Sequence, residues 1–206
     1  MKEENEKKKE KRVMAEFRVF VTDEHGKIIR DTGIKESKSF VKWFLVGILA
    51  DLSVHNRTCK NTSGSEFTLQ AEGNISGSGR KGLFRGSAGV GNDTYGILVG
   101  SNDTPPTNED FKLLEKIEHG DGTGQLEYDK MMFPDINISG GYVKLPFLRT
   151  FYNNSGATIT VKEIGFVVKV EWNNTYCLWL RDVLSPPVDV EQGKTLSVQY
   201  IIKTKV

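Results

Sequence analysis

Eight asparagines of this chain stand two residues before a serine or a threonine, the pattern at which a glycan can be joined to asparagine. With twelve asparagines and 28 serines and threonines among 206 residues, chance would give about 1.6 such triplets. A glycan is bulky and hydrophilic, so its asparagine must lie on the surface. The excess predicts a glycosylated protein that faces the extracellular space. The candidate residues are Asn56, Asn61, Asn74, Asn92, Asn102, Asn137, Asn153 and Asn173.

The alternative explanation is that asparagine, serine and threonine all favour turns, so that they coincide without any sugar. Asn153 and Asn173 stand in predicted hairpin turns, and Asn92 and Asn102 flank a predicted strand. We favour glycosylation because a preference for turns alone should not raise the count about fivefold.

The two cysteines, Cys59 and Cys177, fit none of the closely spaced cysteine motifs of metal and redox sites. They can pair as a disulfide if the fold brings them together. They can equally remain two buried thiols, since free cysteine is often buried. The sequence leaves both alternatives open.

The residue types that most often carry catalysis are sparse. His25, His55 and His119 are not paired at metal-ligand spacing, and no serine lies in a GxSxG elbow. The glycine-rich stretches 77–82 and 89–91 lack the order of a phosphate-binding loop. The sequence therefore predicts no catalytic residue, no cofactor and a protein that is not an enzyme.

Three loop aspartates, Asp103, Asp110 and Asp121, have the oxygen ligands that calcium prefers. Neither an EF-hand nor a nonapeptide repeat surrounds them, and loop acids more often form turns or face solvent. We therefore predict no metal site.

The charge balance bears on possible partners. The net charge is +1, from 28 basic and 27 acidic residues, whereas nucleic-acid binders usually carry a basic excess. The longest apolar run, residues 40–49, includes Lys42 and is shorter than the roughly 20 residues of a membrane span. The start of the chain shows no secretory signal. We expect no nucleic-acid partner, no membrane span, and export inside an assembly or after removal of a leader.

Alternation of apolar and polar residues predicts strands at both ends of the chain. Phe17, Val19 and Val21 alternate with polar residues before a turn at 23–26, which predicts a β-hairpin with residues 27–30. In residues 141–206 several alternating runs are separated by turns. Within one of them the apolar parity shifts by one residue, which predicts a β-bulge near Glu163. We also expect a strand at 176–183 that ends at Pro186 and Pro187.

This spacing predicts a mainly β fold, an antiparallel β-sandwich of the immunoglobulin-like or jelly-roll-like kind. Residues 1–12 should form a charged flexible tail and residues 13–206 one β-rich domain, with the clearest sandwich strands in 141–206.

Apolar residues at spacings of three and four predict one buried helix near residues 39–53, capped by Ser37 or Ser39. Trp43 and Val46 widen its apolar face, so it should be buried on most sides. It packs either on its own sheet or against another subunit. A second, short helix is predicted over residues 108–117.

Several segments are similar to a family of uncharacterised structural proteins of viruses and proviruses of archaea and bacteria. The likeness spans about residues 28–204. It rests on KSFVKWFL at 38–45, YGILVGS at 95–101, DFKL at 110–113, HGDGTGQLEY at 119–128, RTF at 149–151, NSGATITVKEIG at 154–165, LRDV at 180–183, and residues 188–193 before the last strand. The resemblance implies a virion component, such as a tail, nozzle, baseplate or surface decoration. Its partners would be copies of itself and other virion proteins.

Two further hypotheses belong to other classes. The chain can be an extracellular filament or surface-layer subunit of an archaeon, which a cleaved leader would favour. It can also be a carbohydrate-binding module, since β-sandwiches often present aromatic side chains to sugars. The aromatic candidates are Tyr142, Trp172, Tyr176 and Trp179.

Overall fold

The computed structural model describes residues 13–37, 39–53, 55–69, 84–171 and 173–205. Within these ranges the chain forms thirteen strands and one helix. They are β1 Val13–Thr22, β2 Ile28–Asp31, β3 Lys35–Ser37, α1 Lys42–Ser53, β4 Arg57–Lys60, β5 Glu66–Leu69, β6 Phe84–Arg85, β7 Gly96–Gly100, β8 Glu127–Tyr128, β9 Asn137–Ser139, β10 Tyr142–Tyr152, β11 Ile159–Val170, β12 Thr175–Val190 and β13 Thr195–Lys205. The predicted tail at 1–12 lies outside the described residues.

The larger sheet has the strand order β2-β1-β13-β10-β8, with β3 paired to β1 and β9 paired to β10. All of its pairings are antiparallel. The alternating residues Phe17, Val19 and Val21 of β1 are buried. The predicted hairpin is confirmed, because β1 pairs with β2 across a turn that Asp23 N–H closes on the Lys27 carbonyl at 3.0 Å.

The second sheet contains β12, β11 and β6, with β7 also paired to β11, and β4 and β5 form a separate two-stranded sheet. The two larger sheets meet through aromatic side chains. The ring of Phe147 in β10 lies 4.5 Å from that of Phe166 in β11 and 5.8 Å from that of Tyr200 in β13. The prediction of a mainly β protein with packed antiparallel sheets is confirmed, and the arrangement is consistent with a β-sandwich.

The predicted bulge in β11 is also confirmed. The pairing register between β11 and β12 shifts between Val161 and Glu163. Val161 and Glu163 are both fully buried, and after the shift the buried apolar side chains continue on the other parity, at Ile164, Phe166 and Val168.

The predicted end of β12 at its two prolines is wrong, because the strand continues to Val190. Pro186 and Pro187 lie where the ladder is interrupted, since Val183 pairs with Glu163 while Val188 pairs with Val161. A proline has no N–H to donate, so it is tolerated in a strand at such an irregularity.

The predicted helix over 108–117 is wrong, and this segment is an irregular chain that follows β7. Ser101 N–H donates to the Glu115 carbonyl at 2.8 Å, and Ile117 N–H donates to the Val99 carbonyl at 2.9 Å. The N–H of Glu115 donates to the Glu163 carboxylate at 2.8 Å. Backbone groups that an isolated helix would pair internally are therefore satisfied by distant residues.

Candidate functional site

The exposed side of α1 is an apolar surface that faces solvent. Leu45, Ile48 and Leu49 have the spacing of one helical face, and they are 64%, 37% and 48% exposed. We call these three residues the helix face. The stretch from Trp43 to Ala50 contains no charged residue, so this surface is apolar without a charge at its centre.

The opposite side of α1 is buried against β12 and β4. Phe44 packs edge-on against Trp179 of β12, with ring centroids 5.2 Å apart. A Cβ at Gly47 would lie only 2.9 Å from the Phe84 ring, so the glycine allows the helix to approach that side chain. The predicted helix is thus confirmed in place but is buried on one side only. Apolar side chains extend around more of the helix than β12 and β4 cover, so some of them remain exposed.

Neither predicted serine caps α1. The Ser37 hydroxyl donates to the buried Asp182 carboxylate at 2.8 Å, and Asp182 also accepts from the Tyr200 hydroxyl at 3.1 Å. Burial, together with the neighbouring Asp182 charge, raises the pKa of Tyr200 well above its usual value. These side chains hold β3, β12 and β13 together.

A second exposed apolar surface surrounds the β9–β10 hairpin. Phe133 stacks on Phe147 with ring centroids 5.9 Å apart, yet it remains 45% exposed. The other members are Met132, Ile136, Ile138 and Leu145, which are 38% to 73% exposed. All three residues of β9 are exposed at the edge of the larger sheet, so its backbone is open to pairing with another strand.

A groove of about 350 Å³ runs beside residues 112–118 and includes Asp93, Lys116, Glu118 and Tyr176. Lys116 Nζ lies 3.2 Å from an Asp93 oxygen and 2.9 Å from a Glu118 oxygen. Burial acts to raise the pKa of Asp93, but the pKa is lowered overall, because the His119 N–H donates to its carboxylate and the Lys116 ammonium lies beside it. These charges pair with one another, and we assign them to holding the loop against the strands.

The three histidines do not form a common site. One of them makes a structural hydrogen bond, and the other two face solvent. His119 Nδ1 accepts the Tyr128 N–H at 3.1 Å, while His25 and His55 are exposed. Asp103 pairs with Lys162 and Asp110 with Arg181. In the described ranges, no group of three or more histidine, cysteine or acidic residues could hold a metal ion.

Most of the candidate glycosylation asparagines form turns that use both ends of the Asn-x-Ser/Thr triplet. In five of the seven that the structure describes, the asparagine Oδ1 accepts the backbone N–H of the serine or threonine two residues later, at 2.8 to 3.2 Å. These are Asn61, Asn92, Asn102, Asn153 and Asn173. At Asn61, Asn92 and Asn153 the hydroxyl of that residue donates as well. Such turns are what the alternative explanation predicts at these positions, and glycosylation stays a prediction.

Asn153 corrects the prediction that every one of these asparagines lies on the surface. It is fully buried, and its Nδ2, the atom that would carry a glycan, donates to the carbonyls of Ala157 at 2.8 Å and Val190 at 2.6 Å. By contrast Asn56 and Asn137 are exposed. Asn74 lies outside the described residues.

The aromatic candidates for sugar binding lie in separate environments. Trp179 packs among Phe44, Phe84 and Phe166. Tyr176 stacks on Tyr95 with ring centroids 6.0 Å apart. The remaining described one, Tyr142, lies under the Lys203 ammonium, and Trp172 is outside the described residues. Their rings therefore serve packing rather than one common platform.

The two cysteines come together, although 118 positions separate them in the chain. Cys59 of β4 and Cys177 of β12 are both buried, and their Sγ atoms lie 3.4 Å apart as free thiols. This geometry fits both alternatives: the cysteines are two buried thiols, and they are close enough to pair.

Among the described residues, one side chain makes five hydrogen bonds that the sequence did not predict. Arg149 of β10 is fully buried, and its five N–H groups donate at 2.5 to 3.2 Å to five backbone carbonyls. These belong to Gly89, Asn92, Tyr95, Ile97 and Asp129. Burial lowers the pKa of Arg149 to about 10, so the guanidinium remains charged at neutral pH. The sequence did contain a signal for its burial. Arg149 alternates in the strand with the same period as Phe147 and Phe151, so all three side chains should point inward.

A second buried arginine, Arg181 of β12, was also missed. Its Nε donates to Glu163 at 2.7 Å, its Nη1 to Asp110 at 2.8 Å, and its Nη2 to the Thr104 carbonyl at 3.0 Å. Both Arg181 and Glu163 are fully buried. The pair joins the loop at 104–115 to the second sheet.

None of the helices in the described part of the chain is long and apolar enough to cross a membrane. Comparison of the chain with protein-family models, with curated proteins and with solved structures found no match.

Proposed function

We propose that this chain is a non-enzymatic structural subunit of a virus particle, exposed outside the cell, which assembles with copies of itself and with other virion proteins. The observation that carries the proposal is the helix face, three large aliphatic side chains that remain exposed on an otherwise well-packed helix. Exposed apolar surface of this kind commonly marks a contact between proteins.

The occupant we propose for the helix face is the same face of a second copy. An uncharged apolar surface is self-complementary, as the two-fold interfaces of homodimers require. The net charge of +1 adds little electrostatic repulsion between copies. The segment KSFVKWFL, which is similar to viral structural proteins, leads directly into this helix. This overlap supports the virion as the place of assembly.

Charge on the helix face should strongly weaken self-association. We expect the double substitution Leu45→Glu and Leu49→Glu to weaken the association constant at least about 100-fold, since it buries unpaired carboxylates where two aliphatic side chains packed. Sedimentation and native mass spectrometry over a concentration series would measure it. The matched control is Ile29→Glu, because Ile29 is 49% exposed but lies in β2 at an edge of the larger sheet. A wild-type protein that stays monomeric at every concentration would refute the interface.

Location in a virus particle has a separate test. Mass spectrometry of purified particles should find this chain in many copies, and immunogold electron microscopy should place it on a repeating exterior feature. In the same digest we expect glycans at the exposed Asn56 and Asn137 and none at the buried Asn153. Purified particles without this chain would exclude the virion and favour the filament or surface-layer subunit.

A carbohydrate-binding module is the remaining alternative, and the groove of about 350 Å³ beside Tyr176 is a concavity that suits it. Because the charges there are already paired, it ranks below assembly. Binding of the protein to a glycan array would favour this alternative if the substitution Tyr176→Ala abolished the binding.

A further inference from the structure

The pair of thiols under α1 has the arrangement of a cross-linking site. Cys59 lies in the two-stranded sheet of β4 and β5, whereas Cys177 lies in β12 of the second sheet. Their sulfurs are 3.4 Å apart, and both side chains are at most 1% exposed. Among the described residues no third histidine, cysteine or acidic side chain joins them in a group that could hold a metal ion. A covalent bond between the two sulfurs is therefore the chemistry that this geometry suits best.

The two sulfurs are not equivalent. The two thiols share one hydrogen bond, in which either sulfur can donate, and burial acts against the charged form of both. The thiolate is the attacking species in thiol–disulfide exchange. Cys59 lies in the separate two-stranded sheet, whereas Cys177 lies in β12 of the second sheet. Opening of the β4–β5 hairpin therefore exposes Cys59, so we assign it the first attack, and Cys177 resolves the intermediate.

We propose that Cys59 and Cys177 are a redox pair that closes to an intramolecular disulfide by exchange with a small-molecule disulfide. In the first step the Cys59 thiolate attacks that disulfide, forms a mixed disulfide and releases one small thiolate. In the second, Cys177 loses its proton, attacks the Cys59 sulfur and releases the second small thiolate. The protein loses two protons and two electrons, and the small disulfide gains them as two thiols.

The bond would fix the β4–β5 hairpin covalently to β12 of the second sheet. An existing link between them is the Thr62 N–H, which donates to the Tyr176 carbonyl at 3.0 Å next to Cys177. Since α1 rests on both β4 and β12, the disulfide would join the two supports of the helix face. This inference goes beyond the proposed assembly, because it concerns the stability of one subunit.

Burial sets the conditions for the reaction. Both sulfurs are shielded from solvent, so an oxidant reaches them only when the hairpin opens or before the chain has folded. The disulfide should therefore form slowly in the native protein and readily during refolding.

The test uses the full chain, fully reduced, and 2-hydroxyethyl disulfide as the oxidant. One sample is oxidised in the native state and a second during refolding from urea. We expect an intact mass lower by two hydrogen atoms, a monomeric band on a non-reducing gel, and a thermal midpoint higher by about 5–10 °C. Added reductant should reverse all three changes.

Cys177→Ala provides the control, because it should retain one mixed disulfide on Cys59 and show no rise in the thermal midpoint. If this variant does not fold, the comparison of reduced with oxidised wild-type protein still decides the question. Free thiols after oxidative refolding, adducts on both cysteines, or disulfide-linked dimers would each overturn the proposal. The oligomeric state of the reduced protein is measured independently. Failure of the disulfide proposal is therefore distinct from failure of the assembly proposal.

Discussion

Replacing Arg149 with methionine should destabilise the protein by on the order of 4 kcal/mol, one of the two largest effects that we expect from any single substitution. Methionine has a similar length and no donors, so the change withdraws five hydrogen bonds at once. The five carbonyls that lose a donor belong to three separate parts of the chain: residues 89–92, residues 95–97 and Asp129. The side chain therefore acts as a cross-link between β10 and the loops that cover it.

The geometry of the guanidinium should matter more than its charge. Arg149→Lys keeps the charge but offers at most three donors from one atom, so we expect it to cost at least about 2 kcal/mol. The guanidinium also lies over the Tyr128 ring, 4.7 Å from its centroid, and an ammonium cannot stack in the same way. If the lysine variant were as stable as wild type, the planar fork would not be what holds these loops.

Urea unfolding at constant m-value measures these differences as shifts of the midpoint. Arg30→Met is the matched control, since the Arg30 side chain is 46% exposed and faces Asp189, which is 45% exposed, at 3.5 Å. We expect that control to change the stability by less than about 0.5 kcal/mol, the usual value for an exposed ion pair. An equal loss from Arg30→Met and Arg149→Met would contradict the assigned role of Arg149.

Local patterns predicted those parts of the fold in which neighbouring residues decide the structure. The alternation of Phe17, Val19 and Val21 reports a half-buried strand directly, and the parity shift near Glu163 reports the bulge in β11. Such signals need only a few consecutive residues, because side chains in a strand alternate between two faces.

Contacts across long stretches of chain account for what the sequence could not predict. Residues 108–117 have helical spacing, yet their N–H groups bond to the Glu163 carboxylate and to β7. Likewise, the turns at the Asn-x-Ser/Thr triplets were visible in the sequence, but the burial of Asn153 depends on the Val190 carbonyl, 37 positions away. The apolar circumference of α1 was predicted, whereas the side that is covered depends on its tertiary contacts with β12 and β4.

The second large effect concerns the buried pair of Arg181 and Glu163. We expect Arg181→Met to cost about 3–5 kcal/mol, because it leaves a carboxylate without its cation in a fully buried position. Among the described residues, Glu163 would retain as donors the N–H groups of Leu114 and Glu115, at 3.3 and 2.8 Å. Asp110 and the Thr104 carbonyl would also lose the donors that hold their loop.

A double-mutant cycle separates the pair from its surroundings. Arg181→Met with Glu163→Gln should cost less than the sum of the two single changes, with a coupling energy of at least about 2 kcal/mol. The chain offers a matched exposed pair in Arg18 and Asp31, whose closest nitrogen and oxygen atoms are 2.6 Å apart with side chains 33% and 31% exposed. For that pair, Arg18→Met and Asp31→Asn should show a coupling below about 1 kcal/mol, since water screens the charges. Equal coupling in the two pairs would mean that burial does not strengthen the inner one. The loop at 104–115 would then be held by its backbone hydrogen bonds rather than by the charges of Arg181 and Glu163.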